Sequence, residues 1–199
     1  MKKDEVIIQS ILQAAKHLIQ QYGLAKTSME DIARAAGKGK STLYYYFKNK
    51  DQIFEKVIHG EMDEFFQVLH QEVNQQKDAI EMLRAYIITK IKTLKSKVNL
   101  YRLTLETDIP SAFELNKKMT ALRARYDEED KELVHFILKE GIKTGTFRHD
   151  LLEDSSLLSD LFVTCFRGVE MNVITSERYQ FIEEKIDLLI RIMIQGIGK

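Results

Sequence analysis

Three consecutive tyrosines lie inside a lysine-rich stretch near the N-terminus. Residues 37–50 read GKGKSTLYYYFKNK, in which four lysines surround Tyr44, Tyr45 and Tyr46. A phenol donates a hydrogen bond to a phosphate oxygen and offers its ring face to a sugar or a thymine methyl group. Ammonium groups attract phosphates. These residue types therefore indicate binding chemistry directed at a polyanion, not bond-making chemistry.

The spacing of the apolar residues in this stretch places the tyrosines on its surface. On a helix over 40–47, Leu43 and Phe47 lie four positions apart and point together into a core. Positions 44–46 span about 200° of the helix circumference, so at most one of the three tyrosines can join them. The alternative interpretation, in which all three are core, fails for that reason. Such a helix is about 12 Å long and fits a DNA major groove.

The preceding residues predict the rest of a helix-turn-helix. Apolar residues recur at helical spacing through 5–22, and Gly23 ends this helix as a C-terminal cap. A short helix follows over about 28–36 and stops at Gly37. Two short helices around a glycine turn, supported by a longer helix, are typical of helix-turn-helix domains.

The start of the second helix carries a capping signal. TSME (27–30) offers Thr27 as the N-cap and Glu30 as the residue that reaches back to it, in a capping box. The sequence therefore predicts that this helix begins at residue 28.

Charge also separates the first fifty residues from the remainder. Residues 1–50 contain nine basic and four acidic side chains, a net charge of +5, and residues 51–199 carry −5. A basic end on an acidic body favours a polyanionic partner. The alternative is a local fluctuation of charge without a partner.

The whole chain is predicted to be all-α, with about nine helices. We expect a helix-turn-helix domain over 1–50 and a larger helical regulatory and dimerisation domain over 51–199. YRLTLETDI (101–109) alternates as a strand would, but it has no partner strand, so we predict a short helix that ends before Pro110. The other predicted helices cover 50–75, 78–98, 111–141, 153–174 and 177–196.

In the second half, one segment is predicted to lie in water and another is predicted to be a loop. RARYDEEDKE (123–132) is strongly charged, and GIKTGTF (141–147) contains two glycines typical of a loop.

Composition argues for a cytoplasmic protein without cofactor or metal. The single cysteine, Cys165, excludes an internal disulfide, and the five histidines are scattered without metal-ligand spacing. No apolar run approaches the roughly 18 residues of a membrane span, and the N-terminus does not make a signal peptide.

Residues 27–58, TSMEDIARAAGKGKSTLYYYFKNKDQIFEKVI, resemble the N-terminal domain of the TetR/AcrR transcriptional regulators, whose hallmark runs closely as TLYYYFKNK. The resemblance makes Lys40, Ser41, Thr42, Tyr44 and Tyr46 candidate base or groove contacts, and it implies that other residues anchor phosphates. Two positions depart from the family pattern: Lys38 stands where a small apolar residue is common, and Gly39 where Ser or Thr is common. Lys38 and Lys48 are added to these predicted contacts, because Lys38 lies near the expected phosphates and Lys48 lies where the next helix begins. The predicted DNA-binding residues are then Thr27, Lys38, Lys40, Ser41, Thr42, Tyr44, Tyr45, Tyr46, Lys48 and Lys50. Of these, the resemblance makes Thr27, Tyr45 and Lys50 phosphate anchors.

The resemblance also implies a homodimer formed by the last two helices and a small-molecule effector bound in the interior. The dimer has support from the residues themselves, because FIEEKIDLLIRIMIQGI (181–197) is apolar around more than half its circumference. The alternative is that both helices are internal core. The candidate effector-binding residues, each of which could equally be plain core, are Tyr86, Tyr101, Thr104, Phe113, Met119, His135, Cys165 and Phe166.

The sequence therefore predicts a regulator that binds a palindromic operator in double-stranded DNA. We expect a repressor that an apolar or amphipathic ligand releases from DNA. One alternative is a helical interaction module without ligand control, whose basic end binds RNA or an acidic protein; the other is a helical enzyme. The chain has no Gly-rich phosphate loop and no nucleophile elbow, which disfavours the enzyme.

Overall fold

The computed structural model describes residues 3–97, 113–175 and 182–197. These residues form eight α-helices and no strand, which confirms the all-α prediction for them. The helices are α1 (Lys3–Tyr22), α2 (Met29–Ala35), α3 (Lys40–Tyr46), α4 (Lys50–Asn74), α5 (Ala79–Ser96), α6 (Phe113–Lys143), α7 (Ser155–Thr175) and α8 (Ile186–Ile197). Two 3₁₀ turns, His149–Leu151 and Ile182–Lys185, precede α7 and α8.

Most predicted helix boundaries agree with the structure within two residues, but two segments differ. The predicted last helix, 177–196, is a 3₁₀ turn over Ile182–Lys185, and α8 begins only at Ile186. Such turns are frequent at helix N-termini. The predicted loop over 141–147 is shorter, because α6 continues to Lys143. The predicted short helix over 101–109 and the break at Pro110 lie outside the described residues.

The chain divides into two compact units. The first comprises Met1–Asp63 and Lys97–Arg123, and the second comprises Glu64–Ser96 and Ala124–Lys199. This division reflects packing, and α4 contributes residues to both units. It does not test the predicted functional boundary at residue 50, which stays a prediction.

The first unit contains the helix-turn-helix. Helix α2 packs against both α1 and α3. Its apolar core, with every member less than a tenth exposed, consists of Ile11, Ala15, Ile19, Leu24, Met29, Ile32, Ala33, Leu43, Phe47, Ile53, Phe54, Val57 and Ile58. Burial of these side chains orients α3 relative to α1 and α2, because removing apolar area from water is the main driving force for packing.

A glycine allows the tight turn between α2 and α3. Gly37 has a φ of +64°, a left-handed conformation that costs glycine nothing. Its N–H donates to the carbonyl of Arg34, and the N–H of Lys38 donates to the carbonyl of Ala33. These two bonds form a Schellman motif, which ends α2 and directs the chain into α3.

The capping box of α2 lies one residue later than predicted. Ser28, not Thr27, is the N-cap: its hydroxyl accepts from the N–H of Asp31, whose carboxylate accepts from the N–H of Ser28. Asp31, and not Glu30 as predicted, is therefore the acidic residue of the capping box. Thr27 is buried instead, and its hydroxyl donates to the carbonyl of Gly23 at 2.9 Å. Both residues can cap a helix, and burial of Thr27 decides between them.

The second unit buries part of a segment that was expected to lie in water. Within 123–132, Tyr126 is 4% exposed and Asp130 is 5% exposed. The prediction that this charged stretch is solvated is wrong at these positions. They lie four apart on the inner face of α6, and the Tyr126 ring stacks on Phe66 of α4 with 5.2 Å between centroids.

A helical glycine makes room for an aromatic ring in the second unit. A Cβ on Gly141 of α6 would lie 2.1 Å from Cδ2 of Phe147 and 2.9 Å from Cβ of Ala79. Phe147 is 1% exposed, so its ring lies directly on the backbone of α6. The chain needs glycine here for close approach and not for backbone freedom.

Candidate nucleic-acid interface

Helix α3 exposes its tyrosines and buries its apolar residues. Leu43 is 0% exposed and Phe47 is 3% exposed, whereas Tyr44 is 43% and Tyr45 is 82% exposed. Tyr46 is half-buried. The prediction that Leu43 and Phe47 form the inner face, and that the three tyrosines are not core, is confirmed. The helix thus presents phenols to solvent from a rigid scaffold.

Lys40, the first residue of α3, lies between two partners. Its ammonium forms an ion pair with the carboxylate of Glu30, at the start of α2. It also lies over the ring of Tyr44, 5.8 Å from the ring centroid. The hydrogen bond to Lys40 lowers the pKa of Glu30, and the same bond raises the pKa of Lys40. The positive charge at the start of α3 therefore has a defined position.

Tyr46 is tied to the first helix. Its hydroxyl donates to Oδ1 of Asp4 at 2.6 Å, which raises the pKa of Tyr46 to about 12. The ring of Tyr45 meets that of Tyr46 edge to face, with 4.9 Å between centroids. These contacts connect the end of α3 to the start of α1.

Two of the predicted phosphate anchors make contacts inside the first unit. Thr27 is 4% exposed, with its hydroxyl on Gly23. The ammonium of Lys50 donates to the carbonyl of Leu24 at 3.1 Å and lies 3.5 Å from that of Thr27. Lys50 therefore stabilises the loop between α1 and α2, and any role on phosphate is additional to that.

The remaining predicted contacts lie at both ends of α3. Ser41 and Lys48 are exposed, and Lys38 and Thr42 are half-buried. Gly39 is the N-cap of α3, without a side-chain cap. The start of α4 is capped by Asn49, whose side chain accepts from the N–H of Gln52. Lys48 thus precedes a helix N-terminus, where backbone N–H groups favour an anion.

Comparison with known proteins agrees with this geometry. Residues 11–57 match the family of bacterial regulatory proteins described as the tetR family. The fatty acid metabolism regulator protein of Bacillus subtilis (strain 168) is 26% identical over 198 residues, which is 99% of this chain and 98% of that protein. Residues 11–57 therefore form an N-terminal domain of the TetR family. The chain is a DNA-binding transcriptional regulator.

Two further comparisons extend beyond the N-terminal domain. The transcriptional repressor KstR2 of Rhodococcus jostii (strain RHA1) is 28% identical over 144 residues, covering 71% of this chain and 68% of that protein. The structure of the fatty acid degradation regulator FadR from Bacillus halodurans has a TM-score of 0.70 and 23% identity, covering 94% and 98% of the two chains. At that identity the likeness concerns the fold alone. The named relatives are regulators and not enzymes.

The second unit of this protein contains an apolar cavity of about 360 Å³. Two of the candidate effector-binding residues, Cys165 and Phe166, line it. The complete set of described lining residues is Ile87, Leu138, Leu158, Leu161, Phe162, Cys165, Phe166, Val169, Leu189 and Met193. Since none of them carries a charged or amide side chain, the cavity suits a hydrocarbon group.

The other candidate effector-binding residues do not line this cavity or are not described. His135 lies on α6, with Nδ1 3.5 Å from the hydroxyl of Ser159. Phe113 and Met119 belong to the first turns of α6, but their side chains are outside the described part. Tyr101 and Thr104 lie outside the described residues altogether.

Tyr86 belongs to a buried charged cluster that the sequence analysis missed. Its hydroxyl donates to Oδ1 of Asp130 at 2.7 Å. The ammonium of Lys90 pairs with Asp130 and lies 2.9 Å from Oε1 of Glu170. All four residues are less than a tenth exposed. The available signal was Lys90, which sits between Ile87 and Ile91 on the apolar face of α5.

The pKa values in this cluster follow from burial and charge. Burial alone would lower the pKa of Lys90, but the two carboxylates outweigh it and raise that pKa well above its ordinary value. Burial raises the pKa of Glu170 above its ordinary value, although Lys90 opposes the effect. Burial likewise raises the pKa of Tyr86 well above its usual range. Lys90 is therefore charged, and Tyr86 is neutral, at physiological pH.

Helices α7 and α8 expose large apolar side chains on the second unit. Leu157 and Leu161 of α7 are 56% and 51% exposed, and Leu188 and Ile192 of α8 are 49% and 58% exposed. Apolar surface on two adjacent elements of the chain is typical of a protein–protein interface.

The described part of this protein contains neither a metal-binding cluster nor a membrane-spanning helix. No cluster of three or more His, Cys, Asp or Glu side chains is placed to bind a metal ion. Among the same residues, no helix combines the length and the apolar character that crossing a membrane requires.

Proposed function

We propose that this protein is a homodimeric, cytoplasmic repressor that binds a palindromic operator through α3. A small apolar or amphipathic ligand, bound in the second unit, releases it from DNA. The observation that carries the proposal is the surface of α3, where Lys40, Tyr44 and Tyr45 face solvent while Leu43 and Phe47 are buried. A short helix with this surface can enter a major groove and contact both phosphates and base edges.

Selection of bound sequences from random duplex DNA tests the DNA-binding part of the proposal. We expect the selected sites to be palindromic, with half-site centres one helical turn of about 34 Å, or a multiple of it, apart. Recovery of sites without two-fold symmetry would contradict binding as a symmetric dimer.

Tyr44→Ala should weaken binding to the selected operator by about 1–3 kcal/mol, because the ring and its hydroxyl contact the groove. Fluorescence anisotropy with labelled duplexes measures the change. Phe136→Ala is the matched control, since Phe136 of α6 is an aromatic residue of similar exposure, 41% against 43%. If both variants lose the same operator affinity, or if Tyr44→Ala loses none, α3 is not part of the DNA interface.

The exposed apolar residues of α7 and α8 support the homodimer. A second copy related by a two-fold axis would cover Leu157, Leu161, Leu188 and Ile192 with the same residues of its partner. Four helices packed across such an axis form a common interface. This arrangement would also bring two copies of α3 to one operator.

Ile192→Glu should convert the dimer to a monomer at micromolar concentration, because it places a charge inside the apolar interface. Sedimentation analysis measures the mass, and operator affinity should fall with it. Leu152→Glu provides the control, because Leu152 is 42% exposed but lies outside α7 and α8. A dimer that persists in Ile192→Glu would place the interface elsewhere.

The cavity supports an effector with a hydrocarbon body. The names of three relatives or solved structures mention a fatty acid, a ketosteroid and triclosan, all largely apolar compounds. We propose that the effector of this protein belongs to the same broad chemical class. Its binding would favour a conformation with low DNA affinity, and by linkage DNA would lower ligand affinity by the same factor.

A screen of fatty acids of graded chain length and of ketosteroids should find compounds that raise the melting temperature and release labelled operator. Coupling of about 1–3 kcal/mol between the two ligands is expected. Leu158→Trp fills part of the cavity and should abolish both effects while leaving operator affinity intact. Compounds that stabilise the protein without ever releasing DNA would contradict induction through this cavity.

A further inference from the structure

Glu30 and Lys40 form an ion pair on the surface that we propose to face DNA. Both side chains are more than half exposed, at 54% and 62%, so the pair adds little to folding. Lys40 is the first residue of α3, and Glu30 belongs to the first turn of α2. An acidic side chain on a phosphate-binding surface repels the backbone of DNA, so stability does not account for its position.

The pair restricts where the ammonium of Lys40 can go. A lysine head group on a flexible stem ordinarily contacts whichever phosphate is near. Here the ammonium pairs with the carboxylate of Glu30 and lies over the ring of Tyr44, 5.8 Å from its centroid. To reach a phosphate, Lys40 must leave Glu30, and the freed carboxylate then faces the negatively charged backbone.

We infer that Glu30 is a specificity-determining positioning residue, which directs Lys40 to base edges and disfavours its use on phosphates. Guanine O6 and N7 are the acceptors that suit a positioned lysine. The inference rests on the proposed function, because it requires α3 to be the reading helix. A parallel arrangement exists at the other end of α3, where Asp4 accepts from the hydroxyl of Tyr46 at 2.6 Å.

The test compares the wild-type protein with Glu30→Gln, Lys40→Met and the double variant. Each binds the operator selected by the wild type and a random-sequence duplex, measured by anisotropy over a range of salt concentrations. Glu30→Gln should bind the random duplex about three- to tenfold more tightly, with a salt slope steeper by about one, because Lys40 gains a phosphate. Its operator affinity should rise less, so that the ratio of the two affinities falls.

The double variant separates positioning from simple charge removal. If Glu30 acts through Lys40, adding Glu30→Gln to Lys40→Met leaves the ratio of operator to random affinity unchanged. A ratio that falls equally with and without Lys40 would overturn the inference. Glu140→Gln is the charge-matched control, because Glu140 pairs with Lys143 on the exposed surface of α6.

The outcomes distinguish this inference from the proposed function. If the ratio of operator to random-duplex affinity is unchanged in Glu30→Gln while Tyr44→Ala still weakens operator binding, the proposed role of Glu30 is wrong. Helix α3 then remains the helix that reads the DNA. Failure of the wild-type protein to select any duplex overturns both. If the ratio of operator to random-duplex affinity falls in Glu30→Gln but not in Glu140→Gln, the result supports the positioning of Lys40 by Glu30.

Discussion

Lys90→Met lowers the free energy of unfolding by about 3–5 kcal/mol at neutral pH, because it leaves buried carboxylates without their counter-ion. Asp130 and Glu170 are both less than a tenth exposed and approach the ammonium from α6 and α7. Methionine fills a similar volume, so the loss measures electrostatics more than packing. Chemical denaturation followed by circular dichroism gives the value.

The loss in Lys90→Met should shrink as the pH falls. Burial raises the folded-state pKa of Glu170 above its unfolded value, and Lys90→Met removes the positive charge that opposes this rise. A group shifted in this direction stabilises the fold below its unfolded pKa and loses that contribution as the pH rises. The variant should therefore approach wild-type stability near pH 4–5, within about a unit of the ordinary carboxyl pKa.

Lys131→Met is the control for this prediction. Lys131 lies in the same unit and pairs with Asp160 at 3.0 Å, but on the surface, where water screens the pair. Its replacement should change stability little and without pH dependence. A comparable loss in both variants, or a Lys90→Met loss that is independent of pH, would contradict the electrostatic account.

Gly141→Ala destabilises the protein by about 3 kcal/mol, although glycine to alanine in a helix ordinarily stabilises. The added Cβ would lie 2.1 Å from the ring of Phe147, which is 1% exposed and has no room to move away. Either α6 or the segment that follows it must shift. Thermal and chemical denaturation both report the change.

Gly60→Ala is the matched control, because Gly60 is an exposed helical glycine of α4 with nothing within 4 Å of its added Cβ. That variant should gain about 0.5–1 kcal/mol. Combining Gly141→Ala with Phe147→Leu should recover part of the loss, since the smaller side chain removes the collision. Stabilisation by Gly141→Ala alone would show that the ring packs elsewhere.

Helix α3 illustrates what local spacing can predict. Leu43 and Phe47 are four residues apart, and a helix of 3.6 residues per turn necessarily brings them to one face and turns the tyrosines away. The glycine turn at Gly37 follows from the same local rules, because few other residues adopt its positive φ at low cost. Both features depend only on nearby residues.

Choices between equivalent local options were less predictable. Thr27 and Ser28 are both good N-caps, and the core of the first unit buries Thr27 and leaves Ser28 to cap α2. Gly141 looked like part of a loop, and only the ring of Phe147 explains a glycine inside α6. In each case, side chains that come into contact only in the folded structure decided the outcome.

By itself, the sequence determined that this protein is helical, that its N-terminal helices form a helix-turn-helix, and that α3 exposes phenols. Helical periodicity, capping and hallmark residues are local properties, so they can be read along the chain. Only the tertiary structure decided that Lys90, Asp130 and Glu170 meet in the interior, that Glu30 pairs with Lys40, and that Cys165 and Phe166 border a cavity. Lys90, Asp130 and Glu170 lie on three different helices, and Glu30 and Lys40 lie on two. The cavity beside Cys165 and Phe166 is completed by residues of α5, α6 and α8, so each of these features depends on how side chains from separate helices pack together.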